Sequence, residues 1–194
     1  MVPDVATAPP PDWAGLDPEG KRKRLVEVAT QVFTREGLEA PMPRVAEAAG
    51  IGVGSLYRSY RSKEDLIAAI VVEQMGLLRA ELSAAHHEDD PGLALERSIR
   101  QLAERQASNR LVRAALAATS DRREVQVAVG EVSLAWQQLL DRARAHGELR
   151  SDATVMDLRL ILAAARAADE IEPGARGRVL DLLLEAMRAT GDGR

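Results

Sequence analysis

The sequence predicts an all-α fold of about nine helices, and three observations carry that prediction. Apolar residues recur at helical spacing in one segment after another. Ala, Leu, Arg and Glu abound while only five aromatics occur (Trp13, Phe33, Tyr57, Tyr60 and Trp136), a balance that favours helix over sheet. No stretch sustains the period-two alternation of β-branched residues expected of a half-buried strand. With 194 residues, 46% of them hydrophobic and 29% charged, the chain has the composition of an ordinary globular protein built as one domain or as a small head on a larger body. The absence of Cys excludes a disulfide framework, thiol catalysis and the usual cysteine zinc sites. No apolar run approaches the roughly 20 residues that span a bilayer, and the first residues lack the pattern of a signal peptide, so a cytoplasmic location is expected.

Each element follows from local chemistry. Residues 1–20 hold five prolines and no Lys or Arg, which predicts a flexible tail. Leu25, Val28, Ala29, Val32 and Phe33 then define the buried face of a first helix starting near Lys21, and Gly37 is placed to terminate it. Pro41 and Pro43 suit only a first helical turn, and Gly50 closes this second helix after about two turns. Ser55 to Arg61 predicts a third short helix with Ser55 as its cap. Ser62 and Asp65 match a capping box ahead of a long helix from Leu66 to His86. Asp90-Pro91 predicts a new cap and first position, followed by the faces Leu95/Ile99/Leu102/Gln106 and Leu111/Val112/Ala115/Leu116. A long helix through Val125, Val132, Trp136 and Leu140 ends at Gly147, and Pro173-Gly174 separates the last two helices.

Charge is distributed unevenly. Between Lys21 and Lys63 nine Lys/Arg face four Glu, a balance of +5, so the rest of the chain carries −9. A basic head on an acidic body suggests that one end meets a polyanion. The stretch Pro43 to Lys63 supplies the chemistry: two short helices around a glycine-bearing turn form a helix-turn-helix, whose second helix has room to enter a major groove. Gly52 and Gly54 let backbone approach bases or phosphate, Tyr57 and Tyr60 offer hydroxyls, and Arg58, Arg61 and Lys63 offer charge. Lys63 stands in a first helical turn, where a cation opposes the macrodipole, so a phosphate explains it better than helix stability does.

The run Val45-Ala46-x-x-Ala49-Gly50-Ile51-Gly52-x-Gly54-Ser55-Leu56-Tyr57-x-x-Tyr60-x-Ser62-Lys63-x-x-Leu66 resembles the TetR family of bacterial transcriptional repressors, with unbroken spacing from Gly50 to Leu66, and the resemblance covers about residues 21–75. Ser59-Tyr60 stands in place of the family's usual His-Phe, Pro41 replaces a capping Thr or Ser, and Val53 offers a methyl contact to thymine where a polar residue is common. The resemblance implies a three-helix DNA-binding head over 21–66 and a helical ligand-binding and dimerisation body over 67–194. It implies DNA-contacting roles for Arg44, Gly52, Val53, Gly54, Ser55, Tyr57, Arg58, Tyr60 and Lys63, with Lys21 to Arg24 as an arm on phosphate or in the minor groove. It also implies a homodimer on a palindromic operator, released by a small-molecule inducer. Polar or aromatic residues on otherwise apolar faces, namely Gln74, Gln106, Ser133 and Trp136, are the ligand candidates, for a mainly apolar ligand of modest size. Leu158, Leu162, Ala165, Leu180, Leu183, Leu184 and Met187 on the last two helices are the dimer candidates.

Rival readings are weaker. Gly50-Ile51-Gly52-Val53-Gly54 follows a helix, not the strand that a phosphate-binding glycine loop requires. His86 and His87 point about 100° apart on a helix, so a metal is not expected there, and a solvated loop accounts for them. No catalytic residues and no cofactor are expected. The alternative function is a helical small-molecule-binding or protein-interaction module that no longer reads DNA.

Overall fold

The computed structural model describes residue 13, residues 15–108 and residues 110–188, apart from the side chains of 107 and 108. Among them are nine helices: α1 (Pro18–Glu36), α2 (Met42–Ala48), α3 (Val53–Ser59), α4 (Lys63–Ala85), α5 (Pro91–Ser108), α6 (Arg110–Ala118), α7 (Arg123–Ala145), α8 (Val155–Ile171) and α9 (Ala175–Met187). The described residues contain no strand, only an isolated antiparallel bridge between Leu149 and Arg188.

The helix ends obey local capping chemistry, with two departures from expectation. First, α1 begins at Pro18, ahead of the expected start at Lys21, because the Asp17 carboxylate accepts the Gly20 N–H at 2.7 Å and Pro18 fits a first helical position. The basic residues Lys21 to Arg24 therefore ride on helix and do not form a free arm. Residues 1–12 and 14 of the expected tail lie outside the described residues. Second, Ser55 does not cap α3: Gly52 is the extended cap residue, and the Ser55 hydroxyl instead accepts Arg58 Nη2 at 2.7 Å. Elsewhere expectation and structure agree. Ser62 Oγ accepts the Asp65 N–H at 3.0 Å ahead of α4, and Asp90 Oδ1 accepts the Leu93 N–H at 2.8 Å ahead of α5. Thr154 and Asp157 form a reciprocal capping box on α8 that the expected elements did not include.

The chain divides into two units. The first runs to Glu73 and adds Arg110–Val125; the second holds Gln74–Asn109 and the chain from Gln126 onward. In the first unit, α1, α2, α3 and the start of α4 bury Leu25, Phe33, Val45, Leu56, Leu66 and Ile70. α6 packs on α1 in the same unit and buries Leu111 and Ala115. Beyond it, Thr119 is buried, with its hydroxyl donating to the Ala115 carbonyl at 2.8 Å. Arg122 reaches Asp65 in the first turn of α4 at 2.8 Å, which holds that carboxyl below its ordinary range, with Ser62 adding to the effect.

In the second unit, one core contains Leu82, Leu95, Ile99, Trp136, Leu139, Leu140, Leu158, Ile161 and Leu180. α8 packs extensively on α9 and also on α5. The expected dimer residues Leu158, Leu162, Ala165, Leu180, Leu184 and Met187 belong to this core, each 7% exposed or less, and Leu183 is half-buried against it. Their surface is spent inside the protomer, so they have little to offer a second copy. The exposed apolar residues of the pair are Met156, Leu160 and Ile171 on α8 and Leu182 on α9.

Candidate nucleic-acid interface

The turn between α2 and α3 is built from backbone bonds that the sequence dictates. Gly50 adopts φ 66°, a left-handed conformation that a Cβ disfavours. That geometry lets the Ile51 N–H reach the Ala46 carbonyl and the Gly50 N–H reach the Glu47 carbonyl, both at 3.0 Å. The chain re-enters helix at once, with Gly52 extended and Ser55 N–H donating to its carbonyl at 2.8 Å. α3 is anchored by Leu56, which is fully buried, while its opposite face stays open.

That open face carries Gly52, Val53, Gly54, Tyr57 and Arg58, all exposed. Val53 and Tyr57 stand four residues apart and therefore side by side, 37% and 45% exposed. Neither Gly52 nor Gly54 has a positive φ, and a Cβ on either would meet nothing within 4 Å. Gly52 serves as the cap residue, a position that suits glycine, but Gly54 lies inside α3, where glycine costs about 0.5–1 kcal/mol relative to alanine. No packing inside the protein accounts for that cost, but close approach of an external surface does. The glycines leave the front of α3 smooth, with apolar, phenolic and cationic groups around them.

Other expected contacts are placed differently. Tyr60 is buried and not exposed to a backbone phosphate: its hydroxyl donates to the Arg22 carbonyl at 3.3 Å, and the Arg22 guanidinium lies 5.0 Å from the ring centre. Burial pushes its phenol above the ordinary tyrosine range, with the Arg22 bond opposing. Tyr60 is thus the clasp between the end of α3 and α1, and the hydroxyl added to the family's usual Phe is the sequence signal for it. Arg44 is exposed but held by Glu36 at 2.7 Å and by Glu47, which raises the guanidinium further above its ordinary value and lowers the Glu36 carboxyl. Lys63 is the first residue of α4, half-buried, with its ammonium 6.0 Å from the Phe33 ring centre. Lys21, Arg22, Lys23 and Arg61 are exposed on the same unit.

Trp13 was not among the expected site residues. Its indole N–H donates to the Ala49 carbonyl, at the end of α2, at 3.0 Å. A large aromatic inside a proline-rich segment was the signal that it packs somewhere.

In the second unit, the ligand candidates do not converge. Trp136 lies in the core, 3% exposed. Ser133 donates to the Val129 carbonyl at 2.9 Å and accepts Arg159 at 3.0 Å, while Gln74 and Gln106 are half-buried. A cavity of about 330 Å³ has an apolar floor of Leu95, Ile99, Leu184 and Met187 and charged walls that include Glu96, Glu148 and Arg188. A second, of about 220 Å³, lies between α4 and α5 over Leu78, Leu82 and Leu102, rimmed by Glu81, Glu88, Arg97 and Arg105. Neither cavity includes the four candidates, and both have more charge on their walls than an apolar ligand needs.

Comparison with known proteins assigns both parts of the chain. The family model of "Bacterial regulatory proteins, tetR family" matches residues 25–70. That of "Transcriptional regulator SbtR-like, C-terminal domain" matches residues 90–189, just over half of the chain. An HTH-type transcriptional regulator of Staphylococcus aureus is 36% identical over 62 residues, which are 31% of this chain and 34% of that protein, so the match spans about a third of the relative. The crystal structure of the TetR transcriptional regulator SCO0520 from Streptomyces coelicolor superposes with a TM-score of 0.67 at 29% identity, covering 88% of this chain and 99% of that one. A TetR transcription regulatory protein from Mycobacterium vanbaalenii does so with a TM-score of 0.62 at 25% identity, covering 86% and 94%.

Proposed function

The chain belongs to the TetR family and is a DNA-binding transcriptional regulator, not an enzyme, and from that premise we propose that it acts as a homodimeric repressor of a palindromic operator. One observation carries the DNA-reading surface: the exposed front of α3 combines two glycines that internal packing does not require with Val53, Tyr57 and Arg58. In this reading Gly52, Val53 and Gly54 meet base edges, with the Val53 methyls against a thymine, and Ser55, Tyr57, Arg58 and Lys63 hold phosphates. Arg44 joins them only by giving up one of its carboxylate partners.

Two copies pair through the outward stripe of α8 and α9, where Met156, Leu160, Ile171 and Leu182 are exposed. Pairing sets two heads on half-sites about one helical turn apart, which makes the operator palindromic. A small molecule entering the body unit releases the DNA by binding one head spacing more tightly than the other. The cavity between α5, α7 and α9 supports that role for an amphipathic ligand, with Glu96, Glu148 and Arg188 available to hold its polar end and Leu95, Ile99, Leu184 and Met187 its apolar part. Among the described residues no helix is long and apolar enough to cross a membrane, which suits a protein that works where the DNA is.

The test is selection from a random duplex pool with the full chain in dilute buffer. Enrichment of an inverted repeat, with an affinity that falls steeply as salt rises, is the expected outcome. Failure to enrich any sequence, with no binding to duplex DNA at low salt, refutes it.

A further inference from the structure

Two aromatic donors tie the helix-turn-helix to the segment that precedes it. Tyr60 clasps the end of α3 to α1. Trp13 does the same for the end of α2, through its indole N–H and the Ala49 carbonyl. The last carbonyls of a helix have no partner within it, and Ala49 is completely buried, so its carbonyl is costly to leave unpaired. The segment that carries the indole is itself held on its C-terminal side. Gly15 turns the chain with φ 106°, where glycine is strongly favoured, Leu16 is half-buried, and Asp17 caps α1.

We propose that Trp13 is a positioning residue for DNA reading: the strap before α1 fixes the α2–α3 turn through Ala49 and so aims the recognition helix. Only Gly50, Ile51 and Gly52 separate Ala49 from the first residue of α3, and two of these are glycines, so beyond its few backbone bonds the turn has little side-chain packing of its own to fix the angle of α3. α3 is seven residues long, about 10 Å from end to end. A tilt of about 10° at the turn therefore moves its far end by roughly 2 Å, more than half a hydrogen-bond length. Base contacts depend on that angle, whereas a diffuse attraction of Lys and Arg for phosphate does not. The consequence is a separation of effects: loss of the indole bond harms sequence discrimination and leaves non-specific binding alone.

This inference rests on the DNA-reading surface proposed above, and the test separates the two. Full-length parent, Trp13→Phe and Trp13→Ala proteins are titrated against the duplex enriched by the parent and against a scrambled duplex of equal length. Backbone amide exchange at Gly50 to Val53 is followed in parallel. Trp13→Phe keeps a ring and loses the donor. It is expected to bind the enriched duplex about fivefold more weakly, the effect of one hydrogen bond, with scrambled-duplex binding unchanged and faster exchange in the turn. Trp13→Ala is expected to lose more of the same discrimination. The proposal is overturned if Trp13→Phe matches the parent on the enriched duplex, or if both duplexes lose affinity equally. Should the parent bind no duplex, the DNA-reading surface itself fails and the recognition role of Trp13 with it. Unchanged turn exchange in Trp13→Phe defeats the buttress whatever the DNA result.

Discussion

Replacing Leu160 by Glu tests where the protomer meets its partner. Leu160 lies on α8, 60% exposed, in a stripe with Met156 and Ile171 and beside Leu182 on α9. Complete burial of a leucine is worth about 1.5–3 kcal/mol, so the fraction still exposed can contribute roughly 1–2 kcal/mol when a partner covers it. A two-fold interface uses the same residue twice, which doubles the contribution to about 2–4 kcal/mol. At tenfold per 1.4 kcal/mol, Leu160→Glu should weaken dimerisation roughly 30- to 700-fold, before adding the cost of desolvating two carboxylates. The protomer itself should be little affected, because the side chain makes few internal contacts and an exposed substitution usually changes stability by less than about 0.5 kcal/mol. Leu158→Ala is the contrasting variant: Leu158 is 1% exposed in the body core, and its truncation should cost the protomer about 2–5 kcal/mol. Sedimentation equilibrium over a range of concentrations measures the first effect and urea unfolding the second. If Leu160→Glu dimerises as tightly as the parent, the outward stripe of α8 is not the interface.

Lys63→Ala should weaken binding to every duplex alike and reduce the salt slope by about one unit, measured by anisotropy at several salt concentrations; it should not lower stability, since the lysine opposes the dipole of α4. Tyr60→Phe removes the bond to the Arg22 carbonyl and should cost about 1 kcal/mol near neutral pH. The phenol is pushed upward by burial, so it ionises first in the unfolded chain, and the parent should lose stability as pH climbs past the ordinary tyrosine value of 10.0. Unfolding curves of Tyr60→Phe should lack that alkaline contribution; an identical decline in both proteins counts against a phenol held neutral by burial. Gly76→Ala lies inside α4, where a Cβ would meet nothing within 4 Å, and should stabilise the protein by about 1 kcal/mol, raising the thermal midpoint by roughly 2–4 °C.

The helix-turn-helix was legible because its signals are local. Gly50 ends α2 through a left-handed turn, Ser62 caps α4, and Leu56 marks the buried side of α3, each within four residues of its partner. Ser55 misled for the same reason: a serine near a helix start is a good cap, but Gly52, three residues earlier, already has the required extended geometry. Tyr60 resembled a DNA contact in sequence because an aromatic with a hydroxyl suits either a phosphate or a buried carbonyl. Only the position of Arg22, 38 residues away, decides between them.

The sequence by itself determined the helices, most of their ends and the helix-turn-helix segment, because capping, glycine conformation and apolar periodicity act over one or two turns of chain. Tertiary structure alone decided what each apolar face is buried against. Periodicity marks α6 as amphipathic but does not say that it joins the first unit, where it packs on α1 and Arg122 reaches Asp65. Likewise, Leu158 and Leu160 are both leucines on α8, and which one faces the protomer core depends on where α5 and α9 lie. The hydrophobic effect has no direction: it requires apolar surface to be covered without naming the cover, so partners distant in sequence emerge only when the chain is packed.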